Sequence, residues 1–265
     1  MRDKILLGAI AGDVIGSVYE HFPVKTTEFQ LFSCASTFTD DTVMTMANFD
    51  WLLNGSDLSR TMQEYGRRYE HRGYGSGFKK WIWMNAPRPY GSYGNGSAMR
   101  VSPVGWAFSS LDETLEAARR SAMVTHDHSE GVKGAQAVAA AVYLARTGKS
   151  KADIKNYIVQ TFGYDLDRNC DDIRPGYAFD VSCQGSVPES IVAFLDSTDY
   201  ESAIRLAISL GGDADTIAAI TGSIAEAYYK DIPAYIKEKV LKRLPKEFPV
   251  LIQQFYERFV GPIVL

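Results

Sequence analysis

Apolar residues recur three and four positions apart in segment after segment of this chain, and glycine, asparagine or a capping pair closes most segments. After Asp41, the run Val43, Met44, Met46, Ala47, Phe49, Trp51, Leu52 stops at Asn54-Gly55, a helix C-cap signal. Ser110 with Glu113 reads as a capping box ahead of Leu115, Ala118 and Ala122, which share one helical face. Ser129 is expected to cap a helix carrying Val132, Ala135, Ala139 and Val142 before Gly148, and Ser150 with Asp153 opens another through Ile154, Ile158 and Phe162 to Gly163. Pro188 suits the first turn of a helix through Ile191 and Phe194. Asp199 opens one carrying Ala203, Ile204, Ala207 and Leu210, and Thr216 begins one with Ile217, Ile220, Ile224 and Tyr228 on a buried face. Residues 230–265 read as closing helices. Period-two alternation is nearly absent, and no Pro/Ser/charge-rich linker divides the chain. The pattern predicts an all-α fold, a single globular multi-helix bundle of ten or more helices over residues 1–265.

Two segments break the pattern. Gly8, Gly12 and Gly16 recur every fourth residue within Leu6–Tyr19, a smooth helical stripe that only tight packing would compensate, since glycine costs about 1 kcal/mol against alanine in a helix. Glu20 follows directly. Residues Gly73–Arg100 hold many glycines and prolines and read as a long loop, densest at Gly91-Ser-Tyr-Gly-Asn-Gly-Ser97. Such a loop permits close backbone approach and an anion-binding nest of N–H groups, although ordinary turns share the composition.

Composition narrows the function classes. The chain is 46% apolar and 23% charged with a formal charge of −4, so it lacks the basic stripe of a nucleic-acid surface. Its three cysteines, Cys34, Cys170 and Cys183, have no CxxC spacing, which excludes a fully paired disulfide framework and a Cys-rich zinc site. The segment from Met1 shows no signal-peptide apolar stretch, because Gly12 and Asp13 interrupt it, and no apolar run is long enough for a membrane span. The expectation is a soluble, cytoplasmic protein with reduced thiols.

The chemistry is concentrated in two acidic clusters, Thr39-Asp40-Asp41-Thr42 and Asp213-Ala-Asp215-Thr216, each at the start of an apolar helical run. Asp and Thr at such positions are ordinary N-caps. A cap needs one side chain, however, and each cluster supplies two carboxylates that repel unless a cation or protons neutralise them. Oxygen-only ligand sets suit hard divalent cations such as Mg²⁺ or Mn²⁺. The DDxxD spacing of helical terpenoid synthases is absent, since Met44 takes the fifth position of a motif beginning at Asp40.

Five motifs in order resemble the ADP-ribosylglycohydrolase family: Gly8 to Asp13 with Gly16 to Glu20, Thr39 to Thr42, Gly91 to Arg100, Thr125-His126, and Gly211 to Ala219. The resemblance implies an all-α fold with two divalent cations, Mg²⁺ or Mn²⁺. Thr39, Asp40 and Asp41 would hold one, Asp213 and Thr216 the other, and Asp215 would bridge. It further implies that Gly91, Ser92, Tyr93, Gly94 and Asn95 grip the ADP part, with His126 nearby and Asp40 and Asp41 at the reacting bond, while Glu20 is a candidate either for acid/base work there or for a gating contact with the metal. Tyr93, joined by Tyr90, could stack on the adenine. Pro87 departs from the family pattern, where some relatives place a Phe, so a second wall for the adenine is not supplied there. His128 reads as a surface residue. The implied substrate is ADP-ribose attached to a protein or a small molecule, with no nucleic-acid or membrane partner. A non-catalytic ADP-ribose-binding relative and a helical enzyme acting on another diphosphate remain as alternatives.

Overall fold

The computed structural model describes residues 5–261 and is all-helical, with one isolated β-bridge between Gly94 and Ser182. Met1 to Lys4 and Pro262 to Leu265, which belong to the opening and closing segments discussed above, lie outside the described residues. The order is α1 (Gly8–Gly16), α2 (Asp40–Asn54), α3 (Leu58–Arg68), α4 (Ser76–Trp81), α5 (Gly96–Met99), α6 (Ser102–Ala107), α7 (Leu111–Met123), α8 (Ser129–Arg146), α9 (Lys151–Phe162), α10 (Cys170–Ile173), α11 (Cys183–Asp196), α12 (Tyr200–Ser209), α13 (Ala214–Tyr229), α14 (Ala234–Leu241) and α15 (Glu247–Phe259). None of these helices is long and apolar enough to cross a membrane.

Two helices make the centre. α1 is buried along its whole length and α13 is buried from Ala214 to Ala227, the state expected of helices apolar on every face. They pack against each other through the glycine stripe. A Cβ on Gly12 would lie 2.0 Å from the Ala218 carbonyl oxygen, and one on Gly16 would lie 2.5 Å from the Asp215 Cα. α13 also closes the open end of α1. The Leu7 and Gly8 N–H groups donate to the two carboxylate oxygens of Glu226 at 2.9 and 2.8 Å, so Glu226 satisfies orphan donors that no residue beside Leu7 caps. α8, α11 and α12 surround α13, while α2 packs on α3 and α15.

Most helix ends follow the sequence signals. Gly55 and Gly163 end α2 and α9 in left-handed geometry, and the capping boxes at Ser110, Ser150 and Asp199 are formed. Three expectations change. Pro188 sits inside α11, five residues after its start, because Ser182 caps the helix earlier by accepting the Gly185 N–H. The carbonyl that Pro188 leaves without a partner belongs to Gln184, which is exposed and open to water. His128, not Ser129, caps α8, its ring accepting the Glu130 N–H at 3.1 Å. The Gly73–Arg100 stretch is not one open loop but contains α4 and α5, held by buried Tyr74, Phe78 and Trp81. The Trp81 indole donates to the Arg88 carbonyl at 3.0 Å, and Gln63 binds the carbonyls of Trp81 and Met84. The three cysteines are free thiols, two of them buried.

The close approach at Gly12 sets two effects of opposite sign against each other. Gly12→Ala would gain about 1 kcal/mol of helix propensity, yet its methyl meets backbone atoms that cannot rotate away, and overpacking costs about 1–3 kcal/mol or more. The clash wins, and denaturant unfolding of the variant is expected to show a net loss of about 2 kcal/mol. A more stable Gly12→Ala protein would mean that α1 and α13 are not in backbone contact.

Candidate active site and metal centre

The site is assembled by the starts of α2 and α13. At α2, the Thr39 hydroxyl performs the capping, accepting the Asp41 N–H at 3.3 Å. Asp40 and Asp41 are therefore not needed as caps. At α13, Asp213 occupies the N-cap position but makes no side-chain cap bond. Its carboxylate instead accepts the Asn95 amide at 2.7 Å, and that amide also reaches the Ser186 hydroxyl at 3.0 Å.

The two acidic clusters meet. The Thr216 hydroxyl donates to Asp41 Oδ2 at 3.2 Å across 175 residues of chain, and the Thr39 hydroxyl lies 3.5 Å from the same oxygen. Carboxylate oxygens of Glu20, Asp213 and Asp215 lie within 4.8 Å of one another. The other Asp41 oxygen, Oδ1, is buried with no hydrogen-bond partner. Burial first, and then the charge of Asp215, pushes the pKa values of Asp40, Asp41 and Asp213 well above the usual carboxylate range, and raises that of Glu20. No cation of the chain offsets this: among the described residues, no Lys or Arg pairs with Asp40, Asp41, Asp213 or Asp215.

Asp13, which the sequence reading passed over as a site residue, underlies the first cluster. Fully buried in α1, it accepts from the N–H and hydroxyl groups of both Thr39 and Thr42, including 2.7 Å from the Thr39 hydroxyl. Burial, then Asp215, raises its pKa to about 7 despite these bonds. A carboxylate inside the apolar run Gly8–Gly16 was the available signal, because an unpartnered buried charge is too costly to be incidental.

The acidic cluster forms one wall of a cleft of about 440 Å³. Glu20, Thr39, Asp40, Asp41, Asp213, Asp215 and Thr216 line it, as do Ser92, Gly94, Asn95 and His126. Gly91 and Tyr93 stand outside this lining. Gly91 donates its N–H to Asp127 at 2.7 Å, and Tyr93 is 52% exposed, edge-on to His128 with ring centroids 5.4 Å apart. The aromatic walls within the cleft are Tyr74, Phe78, Tyr90 and Phe179. Of these, the Tyr74 hydroxyl is buried without a partner and has its pKa raised by burial and then by Asp40. Arg100 also lines the cleft although fully buried. Arg100 closes the Gly91–Arg100 motif, whereas Tyr74 carried no sequence signal beyond its place near a glycine-rich segment and Phe179 carried none.

Comparison with known proteins agrees with this architecture. A family model described as ADP-ribosylglycohydrolase matches residues 3–262. ADP-ribosylhydrolase ARH3 from Homo sapiens is 31% identical, the match covering 84% of this chain and 84% of that protein. ADP-ribosylarginine hydrolase Tri1 from Pseudomonas putida is 26% identical over 96% of this chain and 77% of its own length. A solved structure titled ADP-ribosylglycohydrolase-related protein complex superimposes with a TM-score of 0.73 at 24% identity, covering 96% of this chain and 95% of that one, which is a likeness of fold. The chain belongs to the ADP-ribosylglycohydrolase family.

Proposed function

We propose that the chain hydrolyses the bond at the anomeric carbon of ADP-ribose conjugates, releasing ADP-ribose and the free acceptor, with a pair of divalent cations in the acidic cluster. The observation that carries this reading is the meeting of two acidic helix starts, 175 residues apart, on one wall of a cleft. The residues fit a metal centre. All the donors are oxygens, and among the described residues one buried Asp41 oxygen has no partner and no basic side chain neutralises the set. Such a donor set suits Mg²⁺ or Mn²⁺. Thr39, Asp40 and Asp41 would hold one ion, Asp213 and Thr216 the second, and Asp215 would lie between. When bound, such ions supply Lewis-acid polarisation and a water of lowered pKa.

The chain's own groups divide the remaining work. Cleavage at an anomeric carbon passes through an oxocarbenium-like state that needs a proton donor or acceptor beside it. Glu20 is the candidate: it sits next to the acidic cluster, half-buried, with its pKa raised by burial and by Asp215, the direction that suits a proton donor. Asn95 orients Asp213. Ser92, Gly94 and His126 line the end of the cleft assigned to the diphosphate, and Tyr90 and Phe179 add apolar wall. Tyr93, half-exposed and outside the cleft lining, is assigned to the adenine. We assign an O-linked acceptor over an arginine N-glycoside. The Ser92-Tyr-Gly-Asn95 loop and the Tyr19-Glu20 pair resemble relatives that cut O-linked ADP-ribose.

Purified protein given serine-linked and arginine-linked ADP-ribosyl substrates is expected to release free ADP-ribose from the serine conjugate with Mg²⁺, and none in excess EDTA. Release from the arginine conjugate alone would overturn the linkage, and EDTA-insensitive release would overturn the metal centre. Asp41→Ala and Asp215→Ala should each lower turnover by about two orders of magnitude or more while the helical circular dichroism is retained. Near-wild-type rates in both would remove the acidic cluster from the reaction.

The raised carboxylate pKa values also predict stability. Between the ordinary Asp value of 3.8 and about 7, the folded metal-free chain binds more protons than the unfolded chain. Its stability therefore falls as pH rises through that window. Thermal unfolding in EDTA should show Tm declining from pH 5 to pH 8, and added Mg²⁺ or Mn²⁺ should restore it most at the upper end. A Tm indifferent to both pH and metal would contradict a cluster of unneutralised carboxylates.

A further inference from the structure

Arg100 is a buried cation with no carboxylate partner among the described residues. Its side chain lies at the back of the cleft with a relative exposure of 1%. One guanidinium nitrogen donates to the Ser121 carbonyl at 2.7 Å and to the Thr125 hydroxyl oxygen at 3.0 Å, while Nε has no partner. The same Thr125 oxygen lies 2.6 Å from Nδ1 of His126. The chemistry of these three groups fixes the direction of each bond. A guanidinium can only donate, so the threonine oxygen accepts from Arg100. The hydroxyl hydrogen then needs an acceptor, and Nδ1 of His126 is the one within reach among the described residues. A neutral imidazole that accepts at Nδ1 carries its hydrogen on Nε2.

Nε2 faces the glycine loop. A Cβ on Gly96 would lie 3.2 Å from it and one on Gly94 would lie 3.6 Å away, so glycine at these positions keeps the approach to the N–H open. Both glycines and His126 line the cleft. The ring stays neutral, since burial first and then the Arg100 charge push its pKa well below the ordinary histidine value.

We propose that Arg100 is a positioning residue which, through the Thr125 hydroxyl, holds His126 in its Nε2–H form, so that the ring donates a hydrogen bond to a phosphate oxygen of bound ADP-ribose. The proposal rests on the reading that the cleft takes ADP-ribose. In the opposite tautomer the Thr125 hydroxyl hydrogen would have no acceptor, and the ring would turn a lone pair toward the anion.

Long-range ¹H–¹⁵N NMR of the imidazole nitrogens reads the tautomer directly, with the His126 signals assigned by their loss in His126→Gln. The ligand-free wild type is expected to show Nε2 protonated and Nδ1 bare. Thr125→Val keeps the side-chain shape and removes the hydroxyl. It should show a mixture of tautomers and bind ADP-ribose about tenfold more weakly, the equivalent of one lost hydrogen bond, and Thr125→Ser should restore both. Protonated Nδ1 in the wild type overturns the proposal, and so does a Thr125→Val protein with unchanged tautomer and affinity. If Thr125→Val does not fold, the wild-type spectrum alone decides the tautomer. If the wild type shows the Nε2–H form but binds no ADP-ribose, the proposed function fails together with the phosphate contact.

Discussion

Backbone contact between α1 and α13 is the constraint on which the site depends. At Gly12 the two helices approach so closely that a single methyl would meet the Ala218 carbonyl at 2.0 Å, and at Gly16 the neighbour is the Asp215 backbone itself. That contact fixes how far the first turn of α13 lies from the turn that carries Glu20. It also sets Asp13, between the two glycines, where it can receive Thr39 and Thr42. The start of α2 is thus tied to α1 and the start of α13 is pressed onto α1, so both acidic clusters take their positions from one short helix. Glycine's unfavourable helix propensity is offset by this packing.

The arrangement gathers negative charge that the fold does not neutralise. Asp13, Asp40, Asp41 and Asp213 all have raised pKa values from burial and from Asp215. Bringing several carboxylates into a partly dry cleft is unfavourable in an isolated chain, and the free energy is recovered only when protons or cations arrive. This explains why capping alone is an inadequate account of the clusters. Thr39 already caps α2, and Asp213 makes no cap bond at all.

The opposite end of the cleft has the reverse character. Arg100 is buried there with no carboxylate partner among the described residues, and Ser92, Gly94 and Gly96 line the cleft, as do Tyr90 and Phe179. A ligand with a metal-seeking diol at one end and an anion beside it would satisfy both ends at once. Asn95 donates its amide to Asp213 and Ser186, so the glycine loop is tied to the acidic wall.

Much of this was legible in the chain itself. Local chemistry determined the helices, because caps such as Ser110, Ser150 and Asp199 and the terminal Gly55 and Gly163 act within a few residues of the backbone groups they satisfy. Periodicity determined the all-α class, and two carboxylates beside a hydroxyl, twice, marked the chemistry. The start of α11 differs from the one Pro188 suggests, because Ser182 caps the helix upstream and leaves the proline inside it. Tertiary structure decided what depends on contacts between distant residues: that Thr216 reaches Asp41, that Asp13 holds Thr39, that Phe179 lines the cleft while Tyr93 stands outside, and that no described carboxylate pairs with Arg100. Hydrogen-bond partners 26 to 175 residues apart leave no periodic trace in a sequence, because only the packing of whole helices brings them within bonding distance.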